Sequence, residues 1–374
     1  MSSLSLPLRL TGARILGDAG LEERPLTIAA GRITSGAAPE IDLAGFDVLP
    51  GVVDLLARAP ESGGLPDLAA RGITTAWLAQ DWSWQGPHHS PDAAEAMLTR
   101  LAARQDGHTD LRPLLVCDTH MMDHEARLVA LLHRFQVSAV LLVDRLSHFA
   151  LPSDPALRGI AESLLTRSAE VPRHLCNLAH VFDALGVRSG SYGDRDGQAR
   201  ERLAMIGAKI CAAPAGAGAA AVARAWGDPV LMPAHGVTRP QALPGQPDVT
   251  AMIGGGMCDA LVSDGRPESL VTAARGLATS GQLPLPGAWS LISQRPARIM
   301  GLTDRGRLVP GLRADLCVLH RGSGRIAATM AAGHWTWRSR DFASRLHAPS
   351  AGLAGQGIAT SLRANPASSL PRSS

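Results

Sequence analysis

Strand-like segments alternate with helix-like segments through the middle of the chain, and this alternation constrains the fold more than any other feature. Most of the strand-like segments are rich in Val, Leu, Ile and Ala. Eight of them can be counted: 47–56, 73–79, 112–118, 138–144, 187–191, 208–213, 229–233 and 259–264. Strands that alternate with helices favour a parallel sheet, and eight parallel strands close a TIM (β/α)8 barrel. The sequence therefore predicts an α/β protein built on such a barrel.

Short β-like runs with frequent turn residues occupy both ends of the chain. Runs at 13–16 and 26–29 flank Gly17-Asp18-Ala19-Gly20, and a run at 314–319 follows Pro310-Gly311. Turn residues at this spacing are typical of antiparallel sheet. We therefore predict three parts. They are a small β-sandwich from residues 1–46 and 303–342, a barrel from 47–302, and a C-terminal tail at 343–374 that is partly disordered or lies on the surface.

The composition predicts a globular protein that binds neither nucleic acid nor membrane. The net charge is +3, and the basic residues, all arginine except Lys209, are scattered among acidic residues. No run approaches the roughly 18 apolar residues of a membrane span, and no signal peptide precedes the first strand. The five cysteines lie far apart without a CxxC pair, which is typical of reduced thiols in a cytoplasmic protein.

Two longer motifs carry a family resemblance. The first is Leu49-Pro50-Gly51-Val52-Val53-Asp54, and the second is Pro310-Gly311-Leu312-Arg313-Ala314-Asp315-Leu316. Together they resemble the amidohydrolase superfamily of metal-dependent hydrolases. Shorter pieces, such as Gly72-Ile73-Thr74-Thr75 and Ser263-Asp264, are most similar to the phosphonate-utilisation branch of that superfamily. The resemblance implies the barrel and sandwich, and hydrolysis of a C–N bond or of the triphosphate of a ribosyl phosphonate.

The resemblance also identifies where divalent metal ligands would stand. Family ligands follow the first strand, the third or fourth, the fifth and sixth, and the eighth. The corresponding residues here are Leu56, Arg58, Asp118, Arg145, Gly190 and Asp264. Only Asp118 and Asp264 keep a ligand side chain, and a divalent metal needs three or more converging donors. The sequence therefore predicts no metal site of the family type, and zinc, manganese or iron would bind only through a different ligand set.

Arginines stand where the resemblance implies metal ligands. We expect the guanidinium groups of Arg58 and Arg145 to face the barrel mouth, with Arg58 in contact with Asp264 or Asp118. Two interpretations stay open: a salt-bridge network that neutralises buried carboxylates, or a pocket whose forked donors bind a phosphate or carboxylate. Three more residues that follow strands are candidates for such an anion pocket: His120, His235 and Arg266.

Asp264 is the candidate catalytic residue, because the resemblance assigns this aspartate the role of general base toward water. Without a metal, a carboxylate is a weak base toward water. Other histidines also follow strands, among them His88, His89, His124 and His148. For each of them a solvated loop residue is the simpler interpretation.

The sequence thus predicts an amidohydrolase-type hydrolase that acts on a small anionic substrate. The alternative is a catalytically inactive paralogue that binds an anion or a partner. A third hypothesis is an enzyme without metal that uses Arg58 or Arg145 to stabilise charge. The oligomeric state stays open, with a homodimer as one outcome.

Overall fold

The computed structural model of the chain describes residues 7–60, 64–104, 109–147, 152–239 and 247–347. The N-terminal strands are β1 (Leu8–Thr11), β2 (Arg14–Leu16), β3 (Leu21–Glu23), β4 (Leu26–Ala29), β5 (Arg32–Thr34), β6 (Glu40–Asp42) and β7 (Phe46–Pro50). The central strands are β8 (Val52–Arg58), β9 (Ile73–Trp82), β10 (Asp110–Asp118), β11 (Ala139–Val143), β12 (Arg188–Tyr192), β13 (Ile210–Ala212), β14 (Val230–Pro233) and β15 (Ala260–Val262). The C-terminal strands are β16 (Leu316–His320), β17 (Ile326–Ala331) and β18 (His334–Arg338).

Helices follow most of the central strands. They are α1 (Pro91–Ala102), α2 (Glu125–Arg134), α3 (Pro155–Thr166), α4 (Val171–Leu185), α5 (Gly197–Met205), α6 (Ala217–Trp226), α7 (His235–Thr238), α8 (Val249–Gly254), α9 (Ser269–Thr279), α10 (Leu285–Ser290), α11 (Gln294–Ile299) and α12 (Arg340–His347). Within the described ranges, none of these helices is both long and apolar enough to cross a membrane.

The eight central strands form one parallel sheet in chain order, from β8 to β15. The weakly hydrophobic segment around Gly190 pairs with both neighbours, Leu141 on β11 and Ile210 on β13, as a fifth strand should. The predicted barrel architecture is therefore confirmed. Because the strands are parallel, their carboxyl ends all open on one face, where the loops that follow them meet.

The two ends of the chain build two further sheets. One has the order β5-β4-β1-β6, and the other has the order β18-β17-β16-β7-β2-β3. The ends meet where β16 pairs with β7, with Val318 opposite Val48. Residues of both sheets share one apolar core that includes Ile28, Val48 and Met330. The predicted sandwich from both termini is thus confirmed, whereas the division into separate domains stays a prediction.

One predicted boundary needs correction. Residues 47–56 were expected to form one barrel strand, but residues 46–50 belong to the terminal sheet and the barrel strand begins at Val52. Gly51 separates them, because its backbone N–H donates to Asp315 and an added Cβ would lie 2.4 Å from the Thr74 hydroxyl oxygen. The predicted tail, 343–374, lies outside the described residues apart from its first five residues, which belong to α12.

The seam between the first and last barrel strands is closed by side chains as well as backbone. The Leu56 carbonyl accepts from the Asp264 N–H at 3.0 Å and from the Ser263 hydroxyl at 3.2 Å. The carboxylate of Asp54, which is 0% exposed, accepts from the N–H groups of Leu56 and Ser263, both at 3.1 Å. Asp54 therefore fixes the end of β8 against the segment that carries Asp264.

We expect the substitution Asp54→Asn to remove a pH dependence of stability. Burial outweighs the hydrogen bonds from Ser263 and Leu56 and raises the pKa of the Asp54 carboxyl in the folded protein. Its contribution to stability is therefore full below the unfolded-state pKa of about 3.9 and is lost as the pH rises through the folded-state pKa. Urea unfolding midpoints of the wild type, taken relative to those of Asp54→Asn, should fall from about pH 4 upward. A difference that does not change with pH contradicts this role of Asp54.

Candidate functional site

The candidate site lies at the carboxyl ends of five barrel strands. Arg58 and Tyr192 are the last residues of β8 and β12, and Asp81 is the penultimate residue of β9. Arg145 and Asp264 follow β11 and β15 by two residues. Side chains alternate between the two faces of a strand, so the position of each strand end decides which residue faces the barrel mouth.

The guanidinium group of Arg58 bridges two carboxylates. Its Nε donates to Asp264 Oδ1 at 3.0 Å, and its Nη1 donates to Asp81 Oδ1, also at 3.0 Å. The guanidinium carbon lies 4.8 Å from the centre of the Tyr192 ring, within the range of a cation–π contact. The predicted contact of Arg58 with Asp264 is confirmed, and its guanidinium is thereby fixed in direction.

Asp81 is the centre of a second set of contacts. Its Oδ1 also accepts from Arg145 Nη2 at 2.8 Å, and its Oδ2 lies 2.7 Å from Nδ1 of His89. Burial alone would raise the pKa of this carboxyl. The hydrogen bond with His89 and the charges of Arg145 and Arg58 outweigh that effect and hold the pKa of Asp81 well below its usual range. Asp81 is therefore ionised at neutral pH.

Asp264 has both carboxylate oxygens engaged. Arg58 donates to Oδ1, and the Tyr192 hydroxyl donates to Oδ2 at 2.9 Å. Burial, followed by the negative charge of Asp264, raises the pKa of Tyr192 to about 12, so this hydroxyl keeps its proton at neutral pH. The backbone of Asp264 has a φ of 45°, in the left-handed region that aspartate tolerates better than most residues. The backbone bond to Leu56 holds it there.

Asp118 does not join this cluster, although the sequence predicted that it would face Arg58 and Arg145. Its Oδ2 accepts from Trp84 Nε1 at 3.1 Å, and its Oδ1 accepts from the backbone N–H of His120 at 3.0 Å. The side chain is almost fully buried, at 1% exposure. Asp118 therefore holds the loop of Trp84 and the loop that follows β10 in place, and it does not pair with an arginine.

The remaining described candidates, His120, His235 and Arg266, make no hydrogen bond to the cluster, although the charge of Asp264 acts on His235. His120 is buried, with Nδ1 at 3.1 Å from the Thr119 hydroxyl, and it lines a separate cavity of about 540 Å³. His235 has a buried Nδ1 without a hydrogen-bond partner among the described residues, and burial together with the charge of Arg266 lowers its pKa. Arg266 is exposed, and His148 lies outside the described residues.

A cavity of about 470 Å³ opens beside the cluster. Its lining includes Arg58, Asp81, His89, Arg145 and Tyr192. Arg145 is only 8% exposed, and its Nη1 is buried without a hydrogen-bond partner among the described residues. A buried donor without an acceptor is costly, and an acceptor in the cavity would relieve this cost only if the guanidinium of Arg145 turned toward it.

Sequence reasoning missed Asp81 and Tyr192, and it interpreted His89 as a solvated loop residue. Strand β9 was predicted to end at residue 79 and strand β12 at residue 191, so Asp81 and Tyr192 were placed beyond their strands. The signal that could have found Tyr192 is its position two residues after Gly190, on the same face of the strand. The position of His89 after a strand was visible in the sequence, but its pairing with Asp81 was not, because the fold of the loop brings the two together.

The donor set does not fit the divalent metal that the resemblance implies. Leu56 is apolar and 0% exposed, and the cation Arg58 lies between the two carboxylates that could serve as ligands. At Gly190 an added Cβ would lie 2.6 Å from the Ile210 carbonyl oxygen, so no ligand side chain fits without a backbone shift. In the described part of the chain, no three His, Cys, Asp or Glu side chains are grouped closely enough to hold a metal ion.

We expect Arg58→Met to lower the free energy of unfolding by about 2–3 kcal/mol, because it leaves Asp81 and Asp264 without a shared cation. This is below the full cost for a buried pair, since the Arg58 side chain is 23% exposed. Combining Arg58→Met with Asp264→Asn should recover part of the loss in urea unfolding. Arg127→Met is the matched control, because Arg127 also bridges two carboxylates but on the surface, where the loss is about 1 kcal/mol or less. If Arg58→Met and Arg127→Met lower the free energy of unfolding by the same amount, the bridge made by Arg58 is no more stabilising than a surface ion pair and this interpretation is wrong.

Known proteins resemble this chain in sequence. A sequence profile described as the Amidohydrolase family matches residues 62–333. The alpha-D-ribose 1-methylphosphonate 5-triphosphate diphosphatase of Escherichia coli (strain K12) is 35% identical over 124 residues, which is 33% of this chain and 33% of that protein. The chain thus spans about a third of the length of the curated relative that it matches.

Solved structures share the fold. Dihydropyrimidinase from Brevibacillus agri NCHU1002 superposes with a TM-score of 0.64 at 13% identity, over 90% of this chain and 96% of that one. Beta-aspartyl dipeptidase from Fervidobacterium islandicum AW-1 does so with a TM-score of 0.60 at 14% identity, over 89% and 97% of the two chains. Identities this low bear on the fold alone. Because the family profile covers well over half of the sequence, the chain belongs to the amidohydrolase family, a family of hydrolases.

Proposed function

We propose that the barrel mouth binds a small molecule that carries a phosphate or phosphonate group. The observation that carries the proposal is the buried Nη1 of Arg145, which has no acceptor in the described part of the chain and belongs to a residue that lines the cavity. Phosphate and phosphonate oxygens accept hydrogen bonds from a guanidinium fork in a fixed geometry. A turn of the guanidinium toward the cavity would let a ligand oxygen satisfy this donor.

The charges around the cavity support an anion over a cation. Arg58 and Arg145 face Asp81 and Asp264, so these four charges balance. Arg100 also lines the cavity and adds positive charge at its rim. The oxygens of both carboxylates already accept hydrogen bonds from the protein or lie beside His89. An incoming group therefore meets mainly donors, which favours an acceptor-rich ligand.

Hydrolysis of the bound ligand is the first candidate activity. The E. coli relative is named for the triphosphate of a ribosyl methylphosphonate, and a triphosphate suits a cavity lined by arginines. Hydrolysis of a phosphoric anhydride in phosphonate metabolism is therefore the finer proposal. No contact in the cavity favours the C–N bond that the resemblance also implied, and the catalytic role of Asp264 stays a prediction.

An inactive anion-binding module is the second candidate, and the placement of Arg58 favours it. A guanidinium stands between the carboxylates that would otherwise converge on a reacting water. Asp264 could accept a proton only after it releases Arg58 or Tyr192. The cytoplasmic location, the homodimer, and anion-binding roles for His120, His235 and Arg266 likewise stay predictions.

We expect inorganic pyrophosphate and methylphosphonate to raise the melting temperature of the wild-type protein by a few degrees at millimolar concentration, as ligands of the folded state do. Arg145→Gln should weaken pyrophosphate binding about tenfold or more, because a charged hydrogen bond to a buried ligand is lost. Arg134→Gln, on the exposed face of α2, is the matched control and should bind like the wild type. Absence of any shift with either anion overturns the proposal.

Turnover separates the two candidates. Protein purified without chelators should be assayed for release of pyrophosphate from alpha-D-ribose 1-methylphosphonate 5-triphosphate, with its metal content measured by mass spectrometry. The hydrolase candidate predicts turnover above the uncatalysed rate. The inactive module predicts binding without turnover.

A further inference from the structure

His89 is held in place by its backbone as well as by its side chain. Its carbonyl accepts from the Ser83 N–H at 2.7 Å, and its N–H donates to the Gly86 carbonyl at 3.1 Å. The neighbouring carbonyl of His88 accepts from Gln80 Nε2 at 2.8 Å. The loop after β9 therefore folds back on the strand end, which brings His89 to the same barrel mouth as Asp81.

The ionised state of Asp81 decides the tautomer of His89. A carboxylate can only accept, so Nδ1 of His89, 2.7 Å from Asp81 Oδ2, carries the proton and donates it. In the neutral imidazole the lone pair then stands on Nε2. No hydrogen bond from the described part of the chain engages Nε2, and His89 lines the cavity, partly exposed.

This pairing has the composition of a catalytic dyad. A carboxylate that fixes the tautomer and orientation of an imidazole leaves the other nitrogen ready to take a proton. The partner carboxylate also stabilises the imidazolium that results. Arg145 lines the same cavity, and its positive charge would stabilise negative charge that develops on a reacting group.

We propose that His89, positioned by Asp81, is the general base that activates water for hydrolysis of a phosphate ester or anhydride bound at the barrel mouth. The inference rests on the proposed binding of a phosphate-bearing ligand and adds the chemistry that would act on it. It assigns the proton transfer to Nε2 of His89 in place of the carboxylate of Asp264.

The step balances without a further reactant. Nε2 takes one proton from water, and the water oxygen forms a bond to phosphorus. The bond from phosphorus to the leaving oxygen breaks, and its electron pair departs with that oxygen. The imidazolium then returns its proton to the leaving oxygen or to solvent, so the net change is the addition of one water molecule. Arg145 stabilises the negative charge on the phosphoryl oxygens.

We expect His89→Ala to lower kcat for pyrophosphate release from alpha-D-ribose 1-methylphosphonate 5-triphosphate by about 100-fold or more, with KM changed by no more than about threefold, as for loss of a general base. His133→Ala, an exposed histidine on α2 that does not line the cavity, is the matched control and should stay within about twofold of the wild type. Added imidazole should restore part of the rate to His89→Ala and should leave the rate of His133→Ala unchanged. Dialysis against a chelator should leave the wild-type rate unchanged.

The role of Asp81 as a positioning residue has its own readout. In a protein that carries both His89→Ala and Asp81→Asn, imidazole should no longer restore the rate, because the carboxylate that orients the added ring is gone. Retained pyrophosphate binding in His89→Ala shows that the mouth is still folded, and His89→Gln provides a second variant if alanine disturbs the loop.

The outcomes distinguish this inference from the proposed function. If pyrophosphate and methylphosphonate do not bind, the proposed function fails and the dyad falls with it. Three outcomes overturn the dyad and leave the proposed anion binding intact. The anions bind but the triphosphate is not hydrolysed, or His89→Ala hydrolyses it as fast as the wild type, or a chelator abolishes hydrolysis.

Discussion

The bridge that Arg58 makes between Asp81 and Asp264 is the interaction on which the barrel mouth depends. Asp81 comes from β9 and Asp264 from the segment after β15, and both carboxylates lie 3.0 Å from a nitrogen of the same guanidinium. Without a shared cation the two charges would repel each other in a largely buried place. The guanidinium of Arg58 therefore fixes β8, β9 and the segment after β15 relative to one another. Since the arginine is part of the chain, this neutralisation does not depend on a dissociable ion.

The same bridge determines what the cavity can bind. Arg58 uses Nε and Nη1 for its two carboxylates, and Arg145 uses Nη2 for Asp81 while its buried Nη1 has no hydrogen-bond partner in the described part of the chain. Binding would then come from the two arginines that line the cavity and from the positive charge of Arg100 at its rim, more than from a large excess of charge. Asp81 contacts both Arg145 and His89, so one buried carboxylate orients the guanidinium of Arg145 and the imidazole of His89.

The sequence predicts the fold well because strand and helix periodicity extends over the whole barrel. It also predicts the contact of Arg58 with Asp264, since both stand at strand ends that a closed barrel brings together. The sequence does not predict the strand ends to within one or two residues, which is the accuracy that the site requires. Strand β9 extends to Trp82 and β12 to Tyr192, beyond the predicted ends, and because side chains alternate, such an error conceals the residue that faces the mouth. Asp118 accepts a hydrogen bond from Trp84 instead of pairing with an arginine, and no local sequence pattern predicts this contact between loops.

The central claim is that arginine, without a metal, makes the barrel mouth an anion site. Calorimetric titration of the wild-type protein with inorganic pyrophosphate, in buffer that contains excess EDTA, tests it most directly. The account predicts saturable binding of one pyrophosphate per chain, weakened about tenfold or more by Arg145→Gln. Binding that disappears in EDTA and returns when zinc or manganese is supplied would contradict it.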